Sequence, residues 1–244
     1  EGEVAMIDAT ENPLFQSFMN IVDRHRTMGV RTNADTPEDA AQAIAFGAEG
    51  IGLFRIEHMF YGLNSEAPLA VLRKMILSQN TEEREKHLAE LHPYIKQAVK
   101  GTMKVMNGKP VTFRLIDPPL HEFVPHTADK QKELANELGI THQEIVKRIE
   151  ALNEVNPMMG LRGVRLGIVY PEITATQFDA LFEAEAELRK EGFDPRLEIM
   201  VPLTVSVTEL KHQKDICDKV HAEVEKRMSA TINYLYGTMI EIPR

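Results

Sequence analysis

Short apolar runs closed by charge recur along this chain. Ile51-Gly-Leu-Phe54 ends in Arg55, Glu57 and His58, and Val111-Thr-Phe113 ends in Arg114 and, three residues on, Asp117. A third stretch, Gly237 to Ile242, carries Glu241 among Met239, Ile240 and Ile242. Each run is too short for a helix and suits a buried parallel strand. Ionisable groups at the carboxyl end of such strands lie where α/β proteins place their ligands. The repetition predicts one convergent polar site.

Helical patterns fill the gaps between strands. Asn12-Pro13 predicts a helix start, with Leu14, Phe15, Phe18, Ile21 and Val22 on one face. After a strand at Val30–Asn33, Thr36 and Pro37 open a helix whose first turn carries Glu38 and Asp39, and Gly47 stops it. Residues 30–54 therefore form a strand-helix-strand unit, which favours a parallel sheet. Two long helical excursions follow, over 60–110 and 117–159, with Thr141 to Glu144 at capping-box spacing in the second. Further strands are predicted at Gly160–Arg165, Leu197–Pro202 and Gly237–Ile242, with helices at Pro171–Glu191 and Ser206–Met228 between them.

Strands alternating with helices call for an open doubly wound sheet or a closed (β/α)8 barrel. Gly47, Gly50 and Gly52 have the wrong spacing for a dinucleotide loop and precede a strand. Charge at the ends of several strands is the barrel habit. The expected fold is thus a TIM-type α/β barrel ending after about its sixth strand, with helical insertions after strands 2 and 3. Residues 1–28 are read as a lead-in segment and linker helix, and residues 29–244 as the incomplete barrel. The whole is expected to be a fragment of a longer chain.

Composition narrows the function. The 244 residues carry a net charge of −9, which leaves no basic excess for general nucleic-acid binding. No apolar run is long enough to span a membrane. The single cysteine, Cys217, excludes an internal disulfide framework, fits a reducing, cytoplasmic setting and reads as a packing residue.

Arg55 and Arg114 are the sharpest candidates. A guanidinium at the end of an apolar strand needs a partner, and two converging forks suit one phosphate. A structural ion pair with Glu57 or Asp117 serves equally well at this point. Glu241 needs a partner or a metal, and Mg2+ suits a lone carboxylate because it completes its shell with water and substrate oxygens. Arg162 and Arg165 add charge in Gly160-Leu-Arg-Gly-Val-Arg165. His121 and His126 flank Glu122 in a proline-rich loop that accounts for them as well as a metal does.

Taken together, Arg31 to Ala40, Gly47 to Met59, Arg114-Leu-Ile-Asp-Pro-Pro-Leu-His-Glu-Phe-Val-Pro-His126, Asn156 to Arg165 and Gly237 to Arg244 resemble the pyruvate, phosphate dikinase family. The resemblance runs in order over nearly the whole chain, and the stretch from Asp117 to His126 separates it from phosphoenolpyruvate synthase and phosphotransferase-system enzyme I. It implies the phosphoenolpyruvate/pyruvate-binding barrel of a phosphotransferase. Such an enzyme converts ATP, phosphate and pyruvate to AMP, pyrophosphate and phosphoenolpyruvate through a phosphohistidine on another domain. By motif match Arg55 and Arg114 would bind the phosphoryl group, Asp117 and Arg162 would support the pocket, and Glu241 would bind substrate and ligate Mg2+. Implied partners are the phosphohistidine and nucleotide-binding domains of the same parent chain, and a second copy in a homodimer. The family's catalytic cysteine and phosphohistidine fall outside this chain, so the piece alone is expected to be inactive. Where the family usually has threonine after the strand-ending arginine, this chain has Ile56. A relative within the wider group, or a non-catalytic anion-binding or dimerisation module, is the alternative.

Overall fold

The computed structural model describes residues 8–62 and 65–243; the first residues of the lead-in segment and Arg244 lie outside them. Helix α1 (Pro13–His25) leads to β1 (Arg31–Asn33), α2 (Pro37–Ala45) and β2 (Gly50–Arg55). Helices α3 (Glu66–Ile76) and α4 (Thr81–Val105) precede β3 (Pro110–Arg114). After α5 (Ala128–Leu138), α6 (His142–Ala151), α7 (Gly163–Val169) and α8 (Pro171–Lys190) come β4 (Arg196–Val201), α9 (Val207–Met228) and β5 (Tyr234–Thr238). The five strands form one parallel sheet in chain order, the arrangement of an incomplete α/β barrel.

Local chemistry sets the helix starts. The Asn12, Thr36, Thr141 and Ser206 side chains each accept a backbone N–H of the first turn, and Ser206 with Glu209 closes a full capping box. At Thr141 the box is only half made, because Glu144 turns its carboxylate to Arg148.

One face of the sheet is apolar and buried: Ile51, Phe54, Val111, Phe113, Leu197, Ile199 and Val201 share a core with α3, α4, α8 and α9. The other face is polar. Arg31 on β1 reaches across to Glu198 on β4, at 2.6 and 3.1 Å, and Thr112 on β3 donates its hydroxyl to the same carboxylate at 2.6 Å. Strands β1 and β4 would lie about 14 Å apart in a flat sheet, so this pair records the curl of a barrel wall. Gly52 leaves the path open, since a Cβ there would sit 3.3 Å from that of Arg31.

The structure corrects two expectations. Gly160–Arg165 is not a strand: it runs from a 3-10 turn at Pro157–Met159 into α7, placing Val164 and Leu166 in the core. Gly163 makes that turn with φ +53°, and a Cβ on it would meet Leu203 Cβ at 2.8 Å. The last strand runs from Tyr234 to Thr238 rather than Gly237 to Ile242, so Glu241 lies beyond it. Thr238 Oγ1 and the Met239 N–H both donate to the carbonyl of Val201, the last residue of β4, so the ladder ends there. The helix expected from Asn12-Pro13 is α1, and its apolar face is largely exposed, with Leu14 76% and Phe18 62% exposed.

Between α4, α8 and α9 lies His92 with Asp179 and Glu183, a grouping with metal-ligand spacing. Its carboxylates are already occupied: Arg227 donates to Asp179 and Glu183, Lys96 to Glu183, and His92 Nε2 lies 2.7 Å from Asp179. A cation would have to displace these charges, so the cluster is an ion-pair clamp between helices. Burial pushes the Asp179 carboxyl up, but the bonds from His92 and Arg227 outweigh it and hold the carboxyl below its usual value. Its stabilisation is therefore complete above the unfolded carboxylate pKa of about 4 and is lost as pH falls through the lower folded value. Arg227→Met should accordingly lower the urea midpoint at pH 6 and do so much less at pH 3. A gap unchanged between the two pH values would contradict this clamp.

Candidate phosphoryl-binding site

The carboxyl ends of β1, β2 and β3 bring three carboxylates and three arginines together. Arg55 closes β2 and Arg114 closes β3, and the two are register partners on adjacent parallel strands. Neighbouring strands lie about 4.8 Å apart, so both side chains leave the sheet at one place.

Arg55 is gripped by Asp35, which follows β1. Its Nε and Nη2 donate to Asp35 Oδ2 at 3.1 and 2.5 Å, and its backbone N–H donates to Oδ1 at 2.8 Å. The carboxylate raises the guanidinium's pKa further. His58, on the 3-10 turn Ile56–Phe60, places Nδ1 2.9 Å from the same Asp35 oxygen.

Arg114 is more deeply set, its side chain only 12% exposed. Nη2 donates to Glu57 Oε1, and Nη1 lies 3.2 Å from Asp117 Oδ2. Asp117 also binds Arg162, at 2.6 Å through Nη2 and 3.3 Å through Nε. Burial pushes the Glu57 carboxyl up, and the charge of Arg114 offsets part of that rise. Glu57 Oε2 and Arg114 Nε are buried without a hydrogen-bond partner among the described residues. Orphaned buried polar atoms cost about 1–3 kcal/mol each and mark this as a place that gains from a ligand or water.

A guanidinium has five N–H donors. Asp35 takes one edge of Arg55 and leaves Nη1 unused among the described residues, while Arg162 Nη1 meets only the Met158 sulfur, at 3.4 Å. Arg165, on the first turn of α7, donates to the carbonyls of Met159 and Gly160 and has no carboxylate partner among the described residues. The carboxylates thus fix the forks in place while donors remain free.

Glu241 reaches this end of the sheet from beyond β5. Its Oε1 accepts the Leu203 N–H at 2.7 Å. Leu203 follows β4 with φ 65°, a left-handed conformation that costs a non-glycine residue of order 1 kcal/mol and clusters at functional sites. The adjacent Thr204 Oγ1 is buried without a partner among the described residues. One carboxylate is a modest oxygen donor set, of the kind Mg2+ takes when substrate and water supply the rest.

The structure therefore groups Arg55, Arg114, Asp117 and Arg162 and brings Glu241 to the same end of the sheet. The ion pairs weighed for the arginines are present, with Asp35 rather than Glu57 as the partner of Arg55. Sequence reading noted His58 among the charges closing β2 but gave it no role, and it missed Asp35, although the rule applied to Arg55 covers a charged residue just past β1. It also missed the strained Leu203. His121 and His126 stand outside these ion pairs, and Cys217 is buried with its thiol pushed up to about 11 by burial. Two cavities of about 590 and 560 Å3 lie near Arg31 and Arg196 and between α1 and α2, and neither contains Arg55 or Arg114. Charge convergence, not enclosed volume, defines this site.

Five parallel strands in chain order, with helices between them and arginines closing β2 and β3, define an incomplete α/β barrel. Residues 10–244 match the family described as PEP-utilising enzyme, PEP-binding domain, where PEP is phosphoenolpyruvate, and the chain belongs to that family. It is 46% identical over its full length to pyruvate, phosphate dikinases of Clostridium symbiosum, Giardia intestinalis and the Arabidopsis thaliana chloroplast. The match covers 28%, 27% and 25% of those proteins, so the chain spans about a quarter of their length. No described helix is long and apolar enough to cross a membrane.

Proposed function

We propose that this chain is the phosphoenolpyruvate/pyruvate-binding part of a pyruvate, phosphate dikinase. In that reading residues 29–244 form the binding barrel, and phosphohistidine and nucleotide-binding domains of the same parent chain deliver the phosphoryl group. A homodimer and a cytoplasmic setting belong to the same proposal. The observation that carries it is the register pairing of Arg55 with Arg114 at the ends of β2 and β3.

Each residue has a derivable task. Arg55 and Arg114 offer charge-assisted N–H donors to the phosphoryl oxygens, and their forks are pre-set by Asp35 and Glu57 before any ligand arrives. Arg114 sits between two carboxylates that balance its charge in the free site, which limits the cost of holding cations close together. Asp117 couples Arg114 to Arg162, so the loop before α7 and the end of β3 hold one geometry. Positive charge facing the phosphoryl group stabilises the negative charge that spreads over its oxygens during transfer. Ile56 is buried at 1% and packs in the core, so the residue after Arg55 contributes apolar anchoring at this position.

Glu241 would hold Mg2+. The bound ion would polarise and neutralise phosphoryl and carboxylate oxygens. Calorimetric titration with phosphoenolpyruvate, with and without Mg2+, tests this role. Wild type should bind more tightly with Mg2+, and Glu241→Gln should lose that gain while keeping the Mg2+-free affinity. An undiminished Mg2+ gain in the variant would remove Glu241 from the metal role.

A further inference from the structure

Asp35 does two things at once. One edge of its carboxylate fixes the fork of Arg55, and the same Oδ2 lies 2.9 Å from His58 Nδ1. A carboxylate neighbour sets the tautomer: it keeps the proton on Nδ1 and leaves Nε2 as the ring atom free to meet something else. The geometry is tight on one side and open on the other, since Asp35 is 11% exposed and the His58 side chain 39%. The ring stands on the 3-10 turn that begins directly after Arg55, so it cannot drift far from the arginine pair.

We infer that His58 is a further anion-binding residue of this site, with Nε2 as its contact atom once protonation makes that nitrogen a donor. The inference rests on the anion-binding reading of Arg55 and Arg114 given above. It adds a ligand-facing residue and a pH dependence that those arginines cannot supply, because they stay charged at every physiological pH.

The charged groups around the ring are Asp35 from beyond β1, Arg55 from the end of β2 and Arg114 from the end of β3, with Tyr61 edge-on at 6.3 Å. Burial, Arg55 and Arg114 lower the imidazole's affinity for a proton, and Asp35 raises it, leaving the group below its ordinary value in the free site. A bound anion reverses part of this, because it neutralises the repulsion from the two arginines. Proton uptake should then accompany anion binding in the acid range, and by linkage the anion should bind more tightly as pH falls. The acidic partner Asp35 holds Nδ1 in both charge states, so protonation adds its new donor at Nε2.

Sulfate is the probe of choice, since it is a tetrahedral dianion that does not titrate between pH 5 and 8. Its affinity for the wild-type protein should rise by roughly five- to tenfold from pH 8 to pH 5, the scale of one added charged hydrogen bond. His58→Asn keeps an N–H where Nδ1 stood, so Asp35 stays satisfied and the fold is preserved. In that variant the rise should vanish while the pH 8 affinity stays within about twofold. Arg55→Ala should weaken sulfate at every pH, which separates failure of this inference from failure of the site itself. As a second readout, the NMR titration of the His58 ring, assigned by its loss in His58→Asn, should shift to higher pH on adding sulfate. A pH dependence identical in wild type and His58→Asn, or a His58 titration unmoved by saturating sulfate, would overturn the proposal.

Discussion

Arg114→Met should destabilise the protein by about 3–5 kcal/mol at pH 7, the cost of breaking a buried ion pair from one side. Arg114 is 12% exposed, Glu57 3% and Asp117 6%, so none of the three can be rehydrated without moving the chain around it. The partners fare differently. Asp117 keeps Arg162, whereas among the described residues Glu57 has Arg114 as its one cationic partner and already carries an orphaned Oε2. Most of the loss should therefore trace to Glu57, and adding Glu57→Gln to Arg114→Met should restore much of it. Acid should also help. The Glu57 carboxyl, already raised by burial, would rise further without Arg114, so the deficit should shrink as pH falls through that raised value. Urea unfolding at pH 7 and pH 5 checks both statements; a deficit below about 1 kcal/mol would mean the pair is solvated.

Arg55→Lys should leave stability nearly unchanged and cost the site its ligand. The Arg55 side chain is 32% exposed, so an ammonium can still find water and Asp35. It cannot hold Asp35 on one edge and present N–H groups to an anion on the other, because it is a point charge and not a fork. Losing one charged hydrogen bond should weaken phosphoenolpyruvate binding by roughly 1.5–3 kcal/mol, or about ten- to hundredfold in Kd. Equal affinity in wild type and variant by calorimetry would reduce Arg55 to a partner of Asp35.

What the sequence revealed and concealed follows from the range of each signal. The β2 strand was legible because a buried parallel strand needs an unbroken apolar run, and Ile51 to Phe54 supplies one ending in Arg55. Arg114 and Asp117 were legible for the same reason at β3. Asp35 was not, since Thr36-Pro37-Glu38-Asp39 is so strong a helix start that the acid before it reads as part of the cap. Its real partners, Arg55 and His58, are 20 or more residues away. Gly160–Arg165 misled because two glycines and a valine look extended, whereas Gly163 is used for a positive φ that starts α7. Glu241 was placed in a strand by its apolar neighbours. The ladder stops at Thr238 because Val201 is the last residue of β4, and nothing near Glu241 in sequence encodes that. The pairing of Arg31 with Glu198 was hidden in the same way, since a polar barrel wall and an exposed edge share one alternating pattern.

A crystal structure of the protein soaked with phosphoenolpyruvate tests the central claim most directly. The account predicts phosphoryl oxygens within about 3.2 Å of guanidinium nitrogens from both Arg55 and Arg114, with Asp35 and Glu57 still holding those side chains. Phosphoenolpyruvate bound instead near Arg31 and Arg196, between α1 and α2, or nowhere at saturating concentration, would contradict it.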